Sequence, residues 1–428
     1  MRQPAAGPDA RSFDGAAGRC GWAVRLGGAA GGAAGIAECA IAFRDLCDEI
    51  DVIEDVTACE SIDVACEALA DVPPDTGGGA GTMSKSWSGN FFEDFSVGQL
   101  LRHPTPRTLT EGDRALYMAL YGPRFALTSS DEVARACGLP RAPLDELAVF
   151  HTVFGKTVPD ISLNAVANLG YAEGRFLAPC YPGDTLTATS EVIGLRQTST
   201  GRAGVVWVRT QGQNQRREPV LDYVRWVMVA RREPGGQAPE PVVPKLAEAV
   251  SGTDLVVPAG LDFALLDRGF SGSPHIWDDY EPGERIDHAD GVTLEEAEHM
   301  LATRLWQNTA RVHFSTLARP EGRLIYGGHV ISLARALSFN GLANAQVIAA
   351  INAGTHAAPA GAGDTVHVWS EVLDKAATRV PSVGALRLRT VAVKNRTAEG
   401  FPLRGPDGRH AEGVILDLDY WVLMPRGA

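Results

Sequence analysis

The feature of this sequence that most restricts its fold is an internal repeat within residues 83–428. Residues 92–99, FEDFSVGQ, reappear 185 positions later as WDDYEPGE at 277–284, with the aromatic, acidic and glycine positions in register. Further along, Gly183-Asp184-Thr185 recurs as Gly363-Asp364-Thr365 at an offset of 180. A repeat that keeps its register over so much of the chain predicts two copies of one fold, each about 140 residues long.

The two copies contain the same order of predicted elements. A first helix is predicted at 110–121 and 294–306, and a second, apolar helix at 144–155 and 329–340. Long strands with alternating apolar residues follow, and such strands need one covered face. A helix that is apolar on most of its surface must be buried. An antiparallel sheet wrapped around a central helix is the hot-dog arrangement, so the sequence predicts an α+β double hot-dog.

Composition divides the chain into segments. Residues 1–82 contain 5 Arg, no Lys and 14 Asp and Glu, together with five of the seven cysteines. The cysteine spacing fits neither a metal-binding CxxC pair nor a disulfide framework. We expect a disordered leader, or a native chain that starts at Met83. An N-terminal hot-dog at 83–230, a Pro/Gly-rich linker at 231–272 and a C-terminal hot-dog at 273–428 are predicted to follow.

Charge and hydropathy exclude several partners. The net charge of −13 argues against nucleic acid, because such binding depends on basic residues that neutralise phosphates. The sequence contains no run of about 18 uncharged apolar residues, so we expect no membrane partner. The cysteine usage and the lack of a recognisable signal peptide predict a cytoplasmic protein. Two fused hot-dogs predict either a monomeric pseudo-dimer or a homo-oligomer.

Several motifs within the copies carry a family resemblance. The segments FEDFSVG at 92–98, TEGD at 110–113 and PGDT at 182–185 resemble the MaoC-type acyl-CoA hydratases. Two longer runs, 103–113 and 153–173, resemble the mesaconyl-CoA hydratases, also called β-methylmalyl-CoA dehydratases. The resemblance implies reversible hydration of mesaconyl-CoA in the ethylmalonyl-CoA pathway, with an acyl-CoA substrate and no metal or other cofactor. The catalytic copy is expected to be the C-terminal one.

Hydration of an α,β-unsaturated thioester needs a base for the attacking water and hydrogen-bond donors for the developing enolate oxygen. The family resemblance places an Asp, and a His five residues later, behind the first helix of a copy. In the C-terminal copy these positions are Asn308 and His313. An amide accepts no proton, so either His313 is the sole base or another carboxylate, such as Asp417 or Asp419, replaces the family Asp.

The matching positions of the N-terminal copy carry no acid or base, since they are Pro123 and Thr128. We therefore expect this copy to have lost its active site. In the C-terminal copy, Gly327 and Gly328 precede the central helix and are the predicted oxyanion donors. His329 is more typical of a first helical turn than of a catalyst.

A dicarboxylyl substrate also needs cations, and Arg matches a carboxylate with two hydrogen bonds. The candidates for the substrate carboxylate are Arg311, Arg124 and Arg141. The candidates for the CoA phosphates are Arg387, Arg389 and Lys394. His151, within the apolar helix of the N-terminal copy, is expected to be a hydrogen-bonded core residue.

Two other functions remain open at the sequence level. The loss of the Asp at position 308 is compatible with a catalytically silent acyl-CoA binding protein. Within enzymes, the substrate could be another branched dicarboxylyl-CoA, such as itaconyl-CoA or the mesaconyl-C4-CoA isomer.

Overall fold

The computed structural model describes residues 85–319 and 322–427, so the predicted leader at 1–82 and Met83 lie outside the described residues. The strands of this part are β1 (Leu100–Thr108), β2 (Ala165–Phe176), β3 (Thr185–Gln197), β4 (Ala203–Gln213), β5 (Pro219–Ala230), β6 (Arg285–Thr293), β7 (Val347–Thr355), β8 (Thr365–Ala377), β9 (Val383–Lys394) and β10 (Val414–Pro425). The α-helices are α1 (Glu111–Tyr121), α2 (Ala126–Ser129), α3 (Asp131–Ala136), α4 (Glu146–Thr157), α5 (Glu296–Leu305), α6 (Arg311–Phe314), α7 (Gly327–Leu337) and α8 (Phe339–Leu342). Across the described residues, every helix falls short of the length and apolarity that a membrane crossing requires.

The strands form one antiparallel sheet in the order β1-β3-β4-β5-β2-β7-β10-β9-β8-β6. Its two halves are joined where β2 pairs with β7. There Tyr171 is opposite Gly354, and Gly174 is opposite Ile351. At the repeat offset of 180 these two pairs are the same contact seen from either copy, as expected for two halves related by a pseudo-twofold axis. The predicted double hot-dog is confirmed, and the two copies pair within one chain.

The central helices are α4 and α7, and both lie in one apolar core with the inner faces of the strands. Their buried surfaces confirm the two apolar helices predicted from the sequence. Helix α4 begins after Asp145, whose Oδ1 accepts a hydrogen bond from the Leu147 N–H at 2.9 Å. Helix α7 ends earlier than predicted, at Leu337, because Asn340 has a non-helical backbone with ψ of 97°.

A strand precedes the first helix of each copy, which the sequence analysis did not predict. Pro104 and Pro106 argue against a strand in the sequence, because proline cannot donate a hydrogen bond to a neighbouring strand. Strand β1 tolerates both prolines because it lies at the edge of the sheet. The side chain of His103 fixes β1 to the sheet through a 2.7 Å contact between its Nε2 and the Ser190 Oγ. His288 holds the equivalent place on β6.

Candidate active site

The segment with the predicted catalytic pair follows α5 directly. Helix α5 ends where the N–H of Asn308 donates to the Thr303 carbonyl at 2.9 Å. The Asn308 side chain is buried, and its Oδ1 accepts from the Ala310 N–H at 3.3 Å, just before α6. Because this contact uses the side-chain oxygen, the Nδ2 group is left as a donor. Asn308 therefore fixes the start of α6, the helix that contains His313.

His313 has the protonation pattern of a base. Its Nδ1 lies 2.8 Å from the carbonyl oxygen of Leu324, which only accepts hydrogen bonds. The Nδ1 therefore carries the ring proton and the Nε2 keeps a lone pair. Burial lowers the pKa of His313 to about 4, although the Leu324 carbonyl acts in the opposite direction. The imidazole is thus neutral at pH 7 and able to accept a proton.

The N-terminus of α7 supplies the donors that the chemistry requires. Its N-cap residue is Tyr326, and no side chain caps the helix there. The first N–H groups of a helix lack partners within the helix and stabilise negative charge. The Tyr326 ring centroid lies 5.8 Å from that of His313, so Gly327 and Gly328 start the helix next to the predicted base.

Two histidines that the sequence analysis did not single out also belong to this site. A Cβ built on Gly327 would lie 2.5 Å from the Nε2 of His356, so that imidazole packs directly against the Gly327 backbone. The ring of His299 lies 5.9 Å from that of His313, and neither of its nitrogens has a hydrogen-bond partner. Burial lowers the pKa of His299 to about 3 and that of His356 to about 4.

A sequence signal for these residues existed. Eight of the ten histidines of the chain lie in 273–428, and the repeat aligns His299 and His356 with Arg114 and Phe176 of the first copy. Although these rings are close, no group of three or more potential ligands in the described ranges is arranged to hold a metal ion.

His329 and His151 adjoin the site from the core. His329 is completely buried on the first turn of α7, and its Nδ1 lies 3.4 Å from the Tyr121 hydroxyl. His151 contacts the Tyr326 hydroxyl at 3.1 Å and the Ser332 hydroxyl at 2.7 Å. Its role as a hydrogen-bonded core residue, as expected from the sequence, is confirmed.

The equivalent place in the first copy lacks this arrangement. The Thr128 hydroxyl donates to the Phe125 carbonyl at 3.2 Å, and Asp145 caps the central helix α4. The partly buried side chain of Glu146, which is the first residue of α4 as Gly327 is of α7, accepts from the Ile348 N–H at 3.1 Å. Acidic groups therefore occupy the helix end where an anionic oxygen would bind.

The predicted carboxylate-binding arginines lie in different places. Arg311 is on α6, close to His313 in the chain, but its side chain points to an exposed surface. Arg124 forms an ion pair with Asp290 at 3.6 Å, and Arg141 forms one with Glu111. The structure thus groups only the first of the three with the catalytic segment, and their roles stay predictions.

Asp417 and Asp419, the predicted replacements for the family Asp, lie on the face of the sheet that points away from α7. Leu418 of β10 faces the core that contains α7, whereas Asp417 and Asp419 alternate with it and face outward. Arg387 pairs with Asp419 at 2.6 Å, and Arg389 pairs with Asp417 at 3.2 Å. Neither carboxylate therefore takes the place of the family Asp next to His313.

These ion pairs also bear on the predicted CoA-binding residues. Arg387 and Arg389 are already neutralised by carboxylates, and the Lys394 amine donates to the Pro359 carbonyl at 2.8 Å. Their contact with CoA stays a prediction.

Comparisons with known proteins identify the family of this chain. The family model described as mesaconyl-CoA hydratase matches residues 80–401. The chain is 65% identical over 343 residues to a mesaconyl-CoA hydratase of Cereibacter sphaeroides, which covers 80% of this chain and all of that protein. It is 60% identical over 350 residues to a β-methylmalyl-CoA dehydratase of Chloroflexus aurantiacus, over 80% of this chain and 99% of that protein.

Solved structures agree with the fold. The crystal structure of a MaoC domain protein from Chloroflexus aurantiacus, 60% identical, superimposes with a TM-score of 0.78 over 81% of this chain and 100% of that one. A conserved hypothetical protein of Mycobacterium tuberculosis with a double hot-dog fold, 24% identical, gives a TM-score of 0.63 over 79% of this chain and 99% of that one. The chain belongs to the mesaconyl-CoA hydratase family.

Proposed function

We propose that this protein reversibly hydrates mesaconyl-CoA to β-methylmalyl-CoA as a hydro-lyase. The observation that carries the proposal is His313, whose Nδ1 is bound to the Leu324 carbonyl so that its Nε2 is the proton acceptor, beside the N-terminus of α7, which no side chain caps. A base and a set of anion-stabilising donors are the two requirements of enoyl-thioester hydration. The names of the two similar proteins, a mesaconyl-CoA hydratase and a β-methylmalyl-CoA dehydratase, describe the two directions of this reaction.

In the proposed mechanism, the Nδ2 group of Asn308 orients a water toward His313. The Nε2 takes a proton from this water as its oxygen bonds to the β carbon of the acyl group. The π electrons move to the thioester oxygen, which the N–H groups of Gly327 and Gly328 stabilise. The proton then returns from the imidazolium to the α carbon. Water is added without a net change in oxidation state, so the reaction requires no redox cofactor.

The proposal includes the cellular setting. A dicarboxylyl-CoA hydratase of this kind acts in the ethylmalonyl-CoA pathway in the cytoplasm, with the acyl-CoA as its partner. Pairing of β2 with β7 joins the two hot-dogs within one chain, which supports a monomeric pseudo-dimer as the smallest active unit.

The test uses the purified full chain and three thioesters: mesaconyl-CoA, mesaconyl-C4-CoA and itaconyl-CoA. We expect the ultraviolet enoyl-thioester absorbance of mesaconyl-CoA to fall, with a product heavier by one water. Faster turnover of either of the other two would assign a different dicarboxylyl-CoA. Binding of all three without turnover would instead support a silent acyl-CoA binding protein.

A further inference from the structure

A buried arginine that the mechanism does not use lies next to the candidate active site. Arg225, on β5, has no exposed surface. Its Nη2 donates to the hydroxyls of Thr157 at 2.9 Å and Ser162 at 2.7 Å, and its guanidinium stacks 4.5 Å from the ring centroid of Phe154. These contacts are with α4 and the turn after it, so the side chain points into the core.

The charge of Arg225 is not balanced by the protein. Its Nη1 donates to the neutral side-chain oxygen of Asn168 at 3.4 Å, and its Nε has no hydrogen-bond partner. Over residues 85–319 and 322–427 it takes part in no ion pair. By contrast, Arg209, on the neighbouring strand, pairs with both Glu173 and Asp222. An isolated buried charge destabilises a fold, so an unpaired buried guanidinium is typical of a place where a ligand brings the anion.

Two aromatic contacts connect Arg225 with the catalytic helix end. The Phe154 ring, on which the guanidinium stacks, lies 6.0 Å from the ring of Tyr326, the N-cap of α7. On the other side, Tyr171 is the ladder partner of Arg225, and its ring lies 6.1 Å from that of His356. His356 in turn packs against Gly327. Two chains of packed aromatic rings therefore connect the guanidinium with the residues that start α7.

The two copies differ at the position of Arg225. At the offset of 195 that aligns Trp226 with Trp421, Arg225 corresponds to Tyr420 in the second copy. The Tyr420 hydroxyl is paired with the Thr390 hydroxyl at 3.0 Å. The end of α4 meets the catalytic segment, since a side chain on Gly155 would overlap the backbone of Trp306. The arginine thus contacts α4, whose end packs against the catalytic segment, and its counterpart in the second copy carries no charge.

We infer that Arg225 binds the free carboxylate of the acyl group and selects dicarboxylyl over monocarboxylyl CoA thioesters. The inference rests on the proposed function for the choice of substrate. Mesaconyl-CoA has its free carboxylate on the carbon to which water adds, so a cation must face that end of the acyl chain. The hydroxyls of Thr157 and Ser162 take the Nη2 hydrogens, so the Nε–H and the second hydrogen of Nη1 are the donors left for a carboxylate.

The kinetic test compares Arg225→Met, which keeps the length of the side chain and removes the charge, with the unchanged protein. The substrates are mesaconyl-CoA and 2-methylcrotonyl-CoA, in which a methyl group replaces the carboxylate. We expect kcat/KM for mesaconyl-CoA to fall by about 100-fold or more, while that for 2-methylcrotonyl-CoA stays level or rises. For Arg225→Lys, we expect a kcat/KM for mesaconyl-CoA between that of Arg225→Met and that of the unchanged protein. Arg202→Met, an exposed site in the β3–β4 turn, is the matched control.

Equal losses on both substrates would overturn the inference, because a purely structural arginine affects them alike.

A second measurement does not depend on turnover: calorimetric binding of succinyl-CoA and butyryl-CoA, which have no double bond to hydrate. The unchanged protein should prefer succinyl-CoA, and Arg225→Met should lose that preference; a preference that survives refutes the role of Arg225. If the unchanged protein fails to hydrate mesaconyl-CoA but this binding result holds, the proposed function fails and the inference stands. If Arg225→Met does not fold, Arg225→Gln replaces it in both measurements.

Discussion

The contact between Gly327 and His356 gives a direct test of the oxyanion site. In Gly327→Ala the added methyl group would lie 2.5 Å from the Nε2 and 2.8 Å from the Nδ1 of His356. Ordinary carbon contacts begin near 3.4 Å. The imidazole and the helix end must therefore separate by about 1 Å, the difference between 3.4 and 2.5 Å, at the place where the thioester oxygen would bind.

The expected loss follows from this displacement. A shift of about 1 Å in a positioned group lowers the rate by about 100-fold, and the loss of one oxyanion donor lowers it by about 100- to 1,000-fold. We therefore expect kcat to fall by about 100-fold or more. Stability should change less, because the overlap destabilises by about 1–3 kcal/mol while alanine favours a helix over glycine by about 0.5–1 kcal/mol.

The assay is the initial rate of mesaconyl-CoA hydration, with circular dichroism melting as the stability measurement. Gly361→Ala is the matched control, since its added methyl group would have its nearest neighbour at 4.0 Å. A double variant, Gly327→Ala with His356→Ala, removes the overlap, so its loss should be smaller than the product of the two single losses. Near-native turnover of folded Gly327→Ala would refute the assignment of the oxyanion site.

Three further predictions concern both copies. Asn308→Ala should lower kcat by about 10- to 1,000-fold, the range for removal of one positioned donor, as measured by initial rates. Asn308→Asp should fold normally and raise the pKa of His313 from about 4; since the neutral imidazole is the active form, the acidic limb of the pH–kcat profile should move to higher pH. Burial, and then the charge of Asp145, raise the pKa of Glu146, so the native state binds a proton that the unfolded chain has released. The free energy of unfolding should therefore decrease between about pH 5 and about pH 8, and Glu146→Gln should flatten this slope in urea titrations.

The fold could be predicted from the sequence because the chain contains two copies of the same pattern of helices and strands. Each copy carries its own apolar helix and alternating strands, so either copy alone indicates a sheet around a helix, and the repeat makes the pairing clear. The edge strands were the exception. Pro104 and Pro106 occur in a strand whose outer side has no partner, and that exposure depends on the position of the strand in the sheet.

The candidate site was predictable only for residues that lie within one segment of the C-terminal copy and keep the spacing of the family. His313 and Gly327 follow from family spacing, whereas His356 reaches the site from the end of β7 and Arg225 from β5 in the other copy. Arg225 lies in a strand of apolar residues, and its unbalanced charge becomes visible only when its surroundings are known. The same holds for Asp417 and Asp419, whose side of the sheet decides against a catalytic role.

The central claim is that the C-terminal copy alone performs catalysis, with His313 as the base. The most direct measurement is the rate of loss of enoyl-thioester absorbance on mesaconyl-CoA for the unchanged protein, His313→Gln and Thr128→Ala, each with a confirmed native melting curve. We predict that His313→Gln loses at least about 100-fold in kcat, the scale of general-base catalysis, and that Thr128→Ala stays within a few fold of the unchanged protein. Comparable losses in both variants, or native turnover of His313→Gln, would contradict the claim.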